Sequence, residues 1–432
     1  MQLTTLLLCI TGIQAQIGRF EPDPSVVGVY LGSWWCRLYG GGDTPSRTNS
    51  RVGVRPFSLW QGDFNISSTL QSADFNQIVE QVEDTKTDAL VMLTIYPVDG
   101  LDEVSDAALN DLATRTAKFA ETGRRIMIRY GSEMNGCWFK YGQQPAKFVA
   151  HYRRVVDTLR TAAGKYSENL AFVWGPNSAN GYPFQCEVNY GVNDTLLDTN
   201  GNGRLDAEDD PYTPYYPGDD YVDWVGLSLY HYGDTYPWVQ NLMPSPGKAE
   251  AILTGRRPYG RFNFYEMFSG SGAGGQPQPK SRGGKPFVIT ETGAPTHLWV
   301  KEPNKPGYVP DGTDPDTRAR IKQAWWRQMI NGTFLATYPK VRAIQFFEYI
   351  KPEETSFRDF TMMGPAVKLD SPVGDDGGPK NGVQLAALQS DLRGELNRFV
   401  IWSNETTTMT GGTLPLPKPS PTPGAGALQE HN

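Results

Sequence analysis

The chain has 432 residues, a formal net charge of −7, four histidines and four cysteines. A mildly acidic chain with no Lys/Arg run argues against nucleic acid and against an anionic membrane surface as partners, and scattered histidines without a Cys cluster argue against a catalytic transition metal. Beyond the first 15 residues no apolar run approaches the ~18 that cross a bilayer, so a soluble monomer is expected.

Residues 1–15, from Met1 to Ala15, form an apolar stretch that ends in a small residue and reads as a secretory signal, which makes the mature protein extracellular. Four sequons, at Asn65, Asn193, Asn331 and Asn404, fit secretion as glycosylation acceptors. Loss of Cys9 with the signal leaves Cys36, Cys137 and Cys186, enough for one disulfide and one free thiol. Cys137–Cys186 is the favoured pair, because both fall just after neighbouring strand candidates, in loops on one face.

Strand candidates follow at 26–31, 56–60, 88–97, 124–130, 169–175, 222–230, 285–290 and 341–347. Several are unbroken apolar runs, as expected of strands covered on both faces. Helical patterns lie between them at 75–85, 104–122, 145–163, 314–337 and 384–401. Thr313-Asp-Pro before the fourth is a cap followed by a first-turn proline. This α/β alternation predicts a (β/α)8 TIM barrel over 16–402 with long loops after strands 5, 6 and 8. No glycine-rich phosphate loop follows the first strand, which disfavours an open dinucleotide-binding sheet. From 403 to 432 the chain turns to Thr, Gly, Pro and Ser and is expected to be an extended tail.

Two glutamates close strand candidates: Glu133 after 124–130 and Glu291 after 285–290. The C-terminal ends of barrel strands are where such folds build active sites. A retaining glycosidase needs two carboxyl groups about 5–5.5 Å apart, one to attack the anomeric carbon and one to protonate the leaving oxygen.

The segment Arg129-Tyr-Gly-Ser-Glu133-Met-Asn-Gly-Cys-Trp-Phe-Lys-Tyr-Gly resembles the strand-4 signature of glycoside hydrolase family 26, whose members are mostly β-mannanases with some β-glucanases and xylanases. Phe172-Val-Trp-Gly-Pro-Asn-Ser, Tyr221-Val-Asp-Trp-Val-Gly-Leu-Ser-Leu-Tyr230 and Val288-Ile-Thr-Glu291-Thr-Gly match its strands 5, 6 and 7 in order. The resemblance implies Glu133 as general acid/base and Glu291 as nucleophile. It also implies an Arg129 that keeps the nucleophile ionised, a Tyr230 that donates to it, and a polysaccharide substrate. Trp138 and Trp174 are candidate walls of the sugar cleft, with core packing an almost equal reading for Trp174. Two departures bear on specificity. Ser132 stands where mannanases usually carry His, and strand 8 offers Phe347 or Tyr349 where the family often has Trp. Glu348 is a spare carboxylate, read as an exposed charge or, less readily, a substrate contact. A non-catalytic carbohydrate-binding protein on this scaffold is the alternative.

Between strands 5 and 6, Asp198, Asn200, Asn202, Arg204, Asp206 and Asp209 occupy the ligand positions of a calcium loop, with Gly203 at the turn. Hard oxygen donors around a sharp glycine turn suit a structural Ca²⁺, and a polar turn without an ion is the competing reading. Asp209 reaches less far than the usual Glu, and Pro211 argues against a full exiting helix.

Overall fold

The computed structural model describes residues 18–35, 43–184, 186, 195–234, 236, 238–270, 284–302, 307–353, 355–363 and 382–404. The expected signal, Cys36, the Asn193 sequon and the tail from 405 onward lie outside the described residues. Ser403 and Asn404, assigned above to the tail, belong to the domain: the Ser403 hydroxyl donates to Phe57 O (2.8 Å) and the Asn404 backbone N–H to Asp88 (2.7 Å).

Eight short strands with period-2 side chains set the architecture: β1 Val29–Trp35, β2 Leu59–Asn65, β3 Leu90–Tyr96, β4 Ile126–Tyr130, β5 Leu170–Trp174, β6 Trp224–Tyr230, β7 Phe287–Gly293 and β8 Val341–Glu348. Each pairs in parallel with its sequence neighbour, and β8 pairs with β1 to close the ring. One face of the pleat fills the interior with Tyr30, Leu59, Leu90, Met92, Met127, Ala171, Val173, Trp224, Val288 and Ala343. The alternate face, including Leu31, Trp60, Ile128, Phe172 and Ile289, packs outward against helices. Burial on both faces explains why the strands read as continuous apolar runs rather than alternating ones.

The helices are α1 Pro45–Val52, α2 Ser72–Glu83, α3 Asp106–Glu121, α4 Pro145–Ala163, α5 Lys248–Leu253, α6 Phe264–Phe268, α7 Pro315–Met329, α8 Gly332–Thr337 and α9 Gly382–Arg393. In α4, Phe148, Tyr152, Val155, Val156, Leu159 and Ala163 form one buried stripe at helical spacing. Ser105 caps α3 and Asp314 caps α7, each side chain accepting an N–H of the first turn. The pattern read as one helix over 314–337 is two, because the Asn331 side chain accepts the Phe334 N–H (2.8 Å) and starts α8. The pattern over 384–401 ends at Arg393 and gives way to a 3-10 turn and a short strand, Val400–Ile401, beside β1.

Beyond the ends of β7 and β8 the chain builds a second, antiparallel sheet. Its strands, in spatial order, are Ile350–Glu353, Ser356–Asp359, Thr296–Val300 and Val309–Pro310. This places a wall at the C-terminal face of the barrel, beside the end of the strand that carries Glu291.

Candidate active site

The backbone of β7 first explains how Glu291 faces inward. The β6–β7 register shifts between Leu227 and Ser228, so Ser228 stands opposite Glu291. Such an irregularity re-aims the residues that follow it. Glu291 accepts hydrogen bonds from Arg129 Nη1 through Oε1 and from the Tyr230 hydroxyl (3.0 Å) through Oε2. Arg129 is fully buried, and its Nη2 donates to Ser228 Oγ (3.0 Å). A guanidinium is permanently charged and forms an ion pair with Glu291 here.

Glu133 reaches the same end of the barrel by a different device. After β4 the chain turns through left-handed conformations at Gly131 (φ 60°) and Glu133 (φ 57°). A Cβ on Gly131 would come 2.8 Å from the Phe148 ring, so position 131 requires glycine on both steric and conformational grounds. The Glu133 N–H donates to Gly175 O at the end of β5 (3.1 Å), and Trp138 Nε1 donates to Glu133 Oε2 (3.1 Å). Burial pushes the Glu133 carboxyl up to about 7, and the negative charge of Glu291 adds to the rise. Arg129, the Ser228 hydroxyl and Lys351 oppose it. The two carboxyls are therefore treated differently: Glu291 is gripped by two donors, and Glu133 is raised toward neutrality.

The loops that follow β4 and β5 are fastened to each other. Asn135 Oδ1 accepts the Asn177 N–H (2.8 Å), while its Nδ2 donates to Asn177 O (2.8 Å). Cys137 and Cys186 form a disulfide with Cα atoms 5.9 Å apart. Beside it, Trp138 packs edge-on to Phe184 at 5.0 Å. The Trp that touches the acid is thus held by both loops.

Around the carboxyl pair lies a shell of aromatic rings. Trp34 stacks on Phe347 (5.0 Å) and donates from Nε1 to Asp63 Oδ1 (2.6 Å). Phe347 also meets Tyr230 (6.1 Å) and Phe360 (5.3 Å), and Tyr96 meets Phe139 (5.5 Å). Burial raises the Tyr96 hydroxyl, and the charges of Glu291, Asp63 and Glu133 raise it further. Of the two strand-8 rings named from sequence, Phe347 is the one adjoining Tyr230, while Tyr349 packs edge-on to Trp34 (5.4 Å).

Two sequence expectations are corrected here. Trp174 is fully buried on the outer face of β5 against Phe264, Phe268 and Tyr216, so it is core and not a cleft wall. Glu348 is neither an exposed charge nor a cleft residue: its oxygens accept the N–H groups of Met362 (2.7 Å) and Met363 (3.0 Å), and burial raises its carboxyl to about 7. Trp34, Asp63, Tyr96 and Ser228 are the site residues that sequence reading missed. The available signal was strand parity: Asp63 is two residues from Gln61 on β2, as Tyr96 is from Thr94 on β3, and Gln61 bonds to Thr94 inside the barrel (3.0 Å).

The calcium-type loop is closed by its own backbone. Asp198 Oδ1 and Oδ2 accept the N–H groups of Asn202 (3.0 Å) and Gly203 (2.7 Å), and Asn202 Oδ1 accepts that of Arg204 (2.8 Å). Asp206 Oδ1 accepts the Glu208 N–H (2.8 Å). Asp209, fully buried, turns Oδ1 to the N–H groups of Thr199 and Asn200 and Oδ2 to that of Asp206. Among the described residues, no three His, Cys, Asp or Glu side chains gather as a metal-holding group. Two sequons also have engaged amides: Asn331 Nδ2 donates to Arg327 O (2.8 Å) and Asn404 Nδ2 to Asp88 Oδ2 (3.1 Å). Asn65 is half-buried at the end of β2.

The closed eight-stranded α/β barrel thus brings two carboxyl groups, Glu133 after β4 and the arginine-held Glu291 on β7, to one end of the fold, as the sequence of a glycoside hydrolase would require. Residues 46–255 match Glycosyl hydrolase family 26. The chain is 24% identical over 238 residues to a β-1,3-xylanase of a Vibrio species, covering 53% of this chain and 43% of that protein. It is 23% identical over 197 residues to endoglucanase H of Acetivibrio thermocellus, covering 43% of this chain and 17% of that protein. The chain thus spans less than half the length of either relative. Among solved structures, a Cellulomonas fimi endo-β-1,4-mannanase double mutant aligns at 14% identity and TM-score 0.46, over 87% of this chain and 72% of that one. A family 26 β-mannanase of Bacteroides ovatus aligns at 13% identity and TM-score 0.45, over 88% and 91%.

Proposed function

We propose that the protein is a secreted, retaining endo-β-glycanase acting on a neutral β-linked polysaccharide of the mannan, β-glucan or xylan type. The observation that carries this reading is the unequal treatment of the two carboxyl groups: Glu291 is gripped by Arg129 and Tyr230, whereas Glu133 is desolvated beside it. In the first step Glu133 gives its proton to the glycosidic oxygen as that bond breaks. Glu291 forms a bond to the anomeric carbon, and Arg129 and Tyr230 hold the attacking carboxylate in line. In the second step Glu133, now charged, takes a proton from water while the water oxygen displaces Glu291, and the acid is regenerated.

A structural Ca²⁺ in loop 198–209 is proposed on the ligand spacing alone. To reach an ion, Asp209 would have to turn away from the N–H donors it accepts.

The test is reducing-sugar release from mannans, β-glucans and xylans, with Glu291→Ala as control. The expected result is activity on at least one polymer and a loss of at least about 10³-fold in kcat for the variant. An active Glu291→Ala protein would overturn the assignment. Binding without release by the wild type would favour the carbohydrate-binding alternative.

A further inference from the structure

Side chains that point into a (β/α)8 barrel stack in layers, each built from alternate strands. Here β2, β4, β6 and β8 supply a lower layer of Leu59, Met127, Trp224 and Ala343, all apolar and buried. Two residues further along each of those strands stand Gln61, Arg129, Gly226 and Gln345. The period of two residues along a strand turns them inward as well, so they form the next layer toward the C-terminal end. That layer is polar on three strands and has no side chain on the fourth. A Cβ on Gly226 would come 2.4 Å from Val288 O, so glycine is required there. The layer is tied to the site directly, because its arginine grips Glu291.

Gln61, Arg129 and Gln345 are no more than 1% exposed. Some of their polar atoms find a protein partner: Gln61 Nε2 donates to Thr94 Oγ1 (3.0 Å), and the two Arg129 Nη groups go to Glu291 and Ser228. Four others have none among the described residues, namely Gln61 Oε1, Arg129 Nε and both ends of the Gln345 amide. Glycines account for part of this. A Cβ on Gly32 would lie 3.0 Å from Gln345 Oε1, and one on Gly175 3.1 Å from Arg129 Nε, so each atom borders a position with no side chain to answer it. A buried polar atom left without a partner keeps the full cost of its desolvation, and in folded interiors such atoms are met by ordered water. The four atoms also define what fits. Arg129 Nε and Gln345 Nε2 donate, while Gln345 Oε1 and Gln61 Oε1 accept, and exchanging the two ends of the Gln345 amide leaves that set unchanged. The guanidinium repels a cation and the carbonyl oxygens repel an anion. A small neutral molecule that both donates and accepts is required, and water meets that description.

We propose that ordered water in the Gln61–Arg129–Gln345 layer satisfies these atoms, and that Gln345, acting through it, is a positioning residue for the guanidinium that grips Glu291. The first half stands on packing and hydrogen bonding alone; the second rests on the glycanase reading and deepens it. With Nη1 on Glu291 and Nη2 on Ser228, a bond at Nε ties down the third side of the guanidinium plane. The carboxylate it holds then keeps one direction toward the anomeric carbon.

Two experiments on the full-length protein test it. In a high-resolution crystal structure of the wild type, at least one ordered water is expected within about 2.7–3.2 Å of both Arg129 Nε and the Gln345 amide. An interior without such density, or a Gln345 amide bonded directly to protein, overturns the proposal. Gln345→Met is close in size and removes the donors and the acceptor together. On the preferred polymer it is expected to lose about tenfold in kcat, with KM no higher than in the wild type and no loss of stability in denaturant unfolding. Gln345→Asn, which keeps the amide and leaves room for water, should recover part of the kcat. An unchanged kcat in Gln345→Met, a fall that matches a smaller folded fraction, or no recovery in Gln345→Asn overturns the positioning role. Should the wild type cleave no β-glycan, the glycanase reading and the positioning role fall together, and the density still decides whether the layer holds water.

Discussion

Glu133 couples chemistry to stability in opposite senses. The acid role proposed for it requires the protonated form, and burial first, then the charge of Glu291, raises its carboxyl to about 7. The alkaline limb of kcat/KM is therefore expected near pH 7, as measured by initial rates across a pH series. For folding, a carboxyl whose native pKa exceeds its unfolded value binds more protons in the native state. Stability falls as pH rises from about 4.5 to about 7. Glu133→Gln removes that penalty, so it should be inactive yet about 1–3 kcal/mol more stable than wild type at pH 8, with no gain at pH 4, by denaturant unfolding. Glu348, also raised to about 7 by burial, keeps some pH slope in the variant. Trp138 tunes the same group, because its Nε1–H donates to Glu133 Oε2 at 3.1 Å and favours the charged form. Trp138→Phe keeps the ring against Phe184 and deletes the donor. Its alkaline limb should move upward, and a limb that stays in place would deny the bond a role.

At the scale of elements, the closing turn of the barrel depends on a clamp between α7 and α9. Asp391, only 7% exposed, accepts hydrogen bonds from Trp326 Nε1 (2.8 Å) and from Arg327 Nε (2.8 Å) and Nη2 (2.6 Å). Burial alone would raise its carboxyl, but Arg327, Trp326 and Gln323 hold it below the usual value. A depressed carboxylate contributes stability above its unfolded pKa and loses it as pH falls through the native one. Asp391→Ala strands the buried Trp326 N–H and should cost about 2–4 kcal/mol at pH 7 and less at pH 3, by thermal or denaturant unfolding. The clamp lies outside the barrel, and α9 also reaches the end of α1, where Gln389 Nε2 donates to Arg51 O and Val52 O (3.0 Å each).

For the molecule as a whole, the barrel face is flanked by parts that differ in how they are held. The β4 and β5 loops are joined by a disulfide and an Asn–Asn pair, and the β7 and β8 ends continue into the antiparallel sheet. Loop 198–209 is closed by its own N–H donors, which makes the ion question measurable. If Ca²⁺ is structural, chelation should lower Tm by several degrees and added Ca²⁺ should restore it. A Tm indifferent to both would leave the loop as a hydrogen-bonded turn.

The apolar runs of the strands and the 3.6-residue stripes of α2, α3 and α4 are local properties, so the alternation that makes a (β/α)8 barrel was legible in the chain. So were Glu133, Glu291, Arg129 and Tyr230, because each sits in a short motif beside an apolar run. The misreadings cluster where strands end. β1 reads as 26–31 and β2 as 56–60, yet the structure carries them to Trp35 and Asn65. Gly32 and Ser33, and Gln61, Gly62 and Asp63, look like loop because the C-terminal ends of barrel strands carry polar and small residues into the cleft. Trp34 and Asp63 were hidden for that reason. Trp174 erred the other way: an aromatic in a signature motif suggests a cleft, but the pleat of β5 turns it outward to Phe264 and Phe268. Local pattern fixes where strands and helices form. Which face of a strand end meets the cavity, what desolvates Glu133, and which rings line up behind Tyr230 depend on strand register and on loops far apart in sequence, and only the closed barrel brings those together.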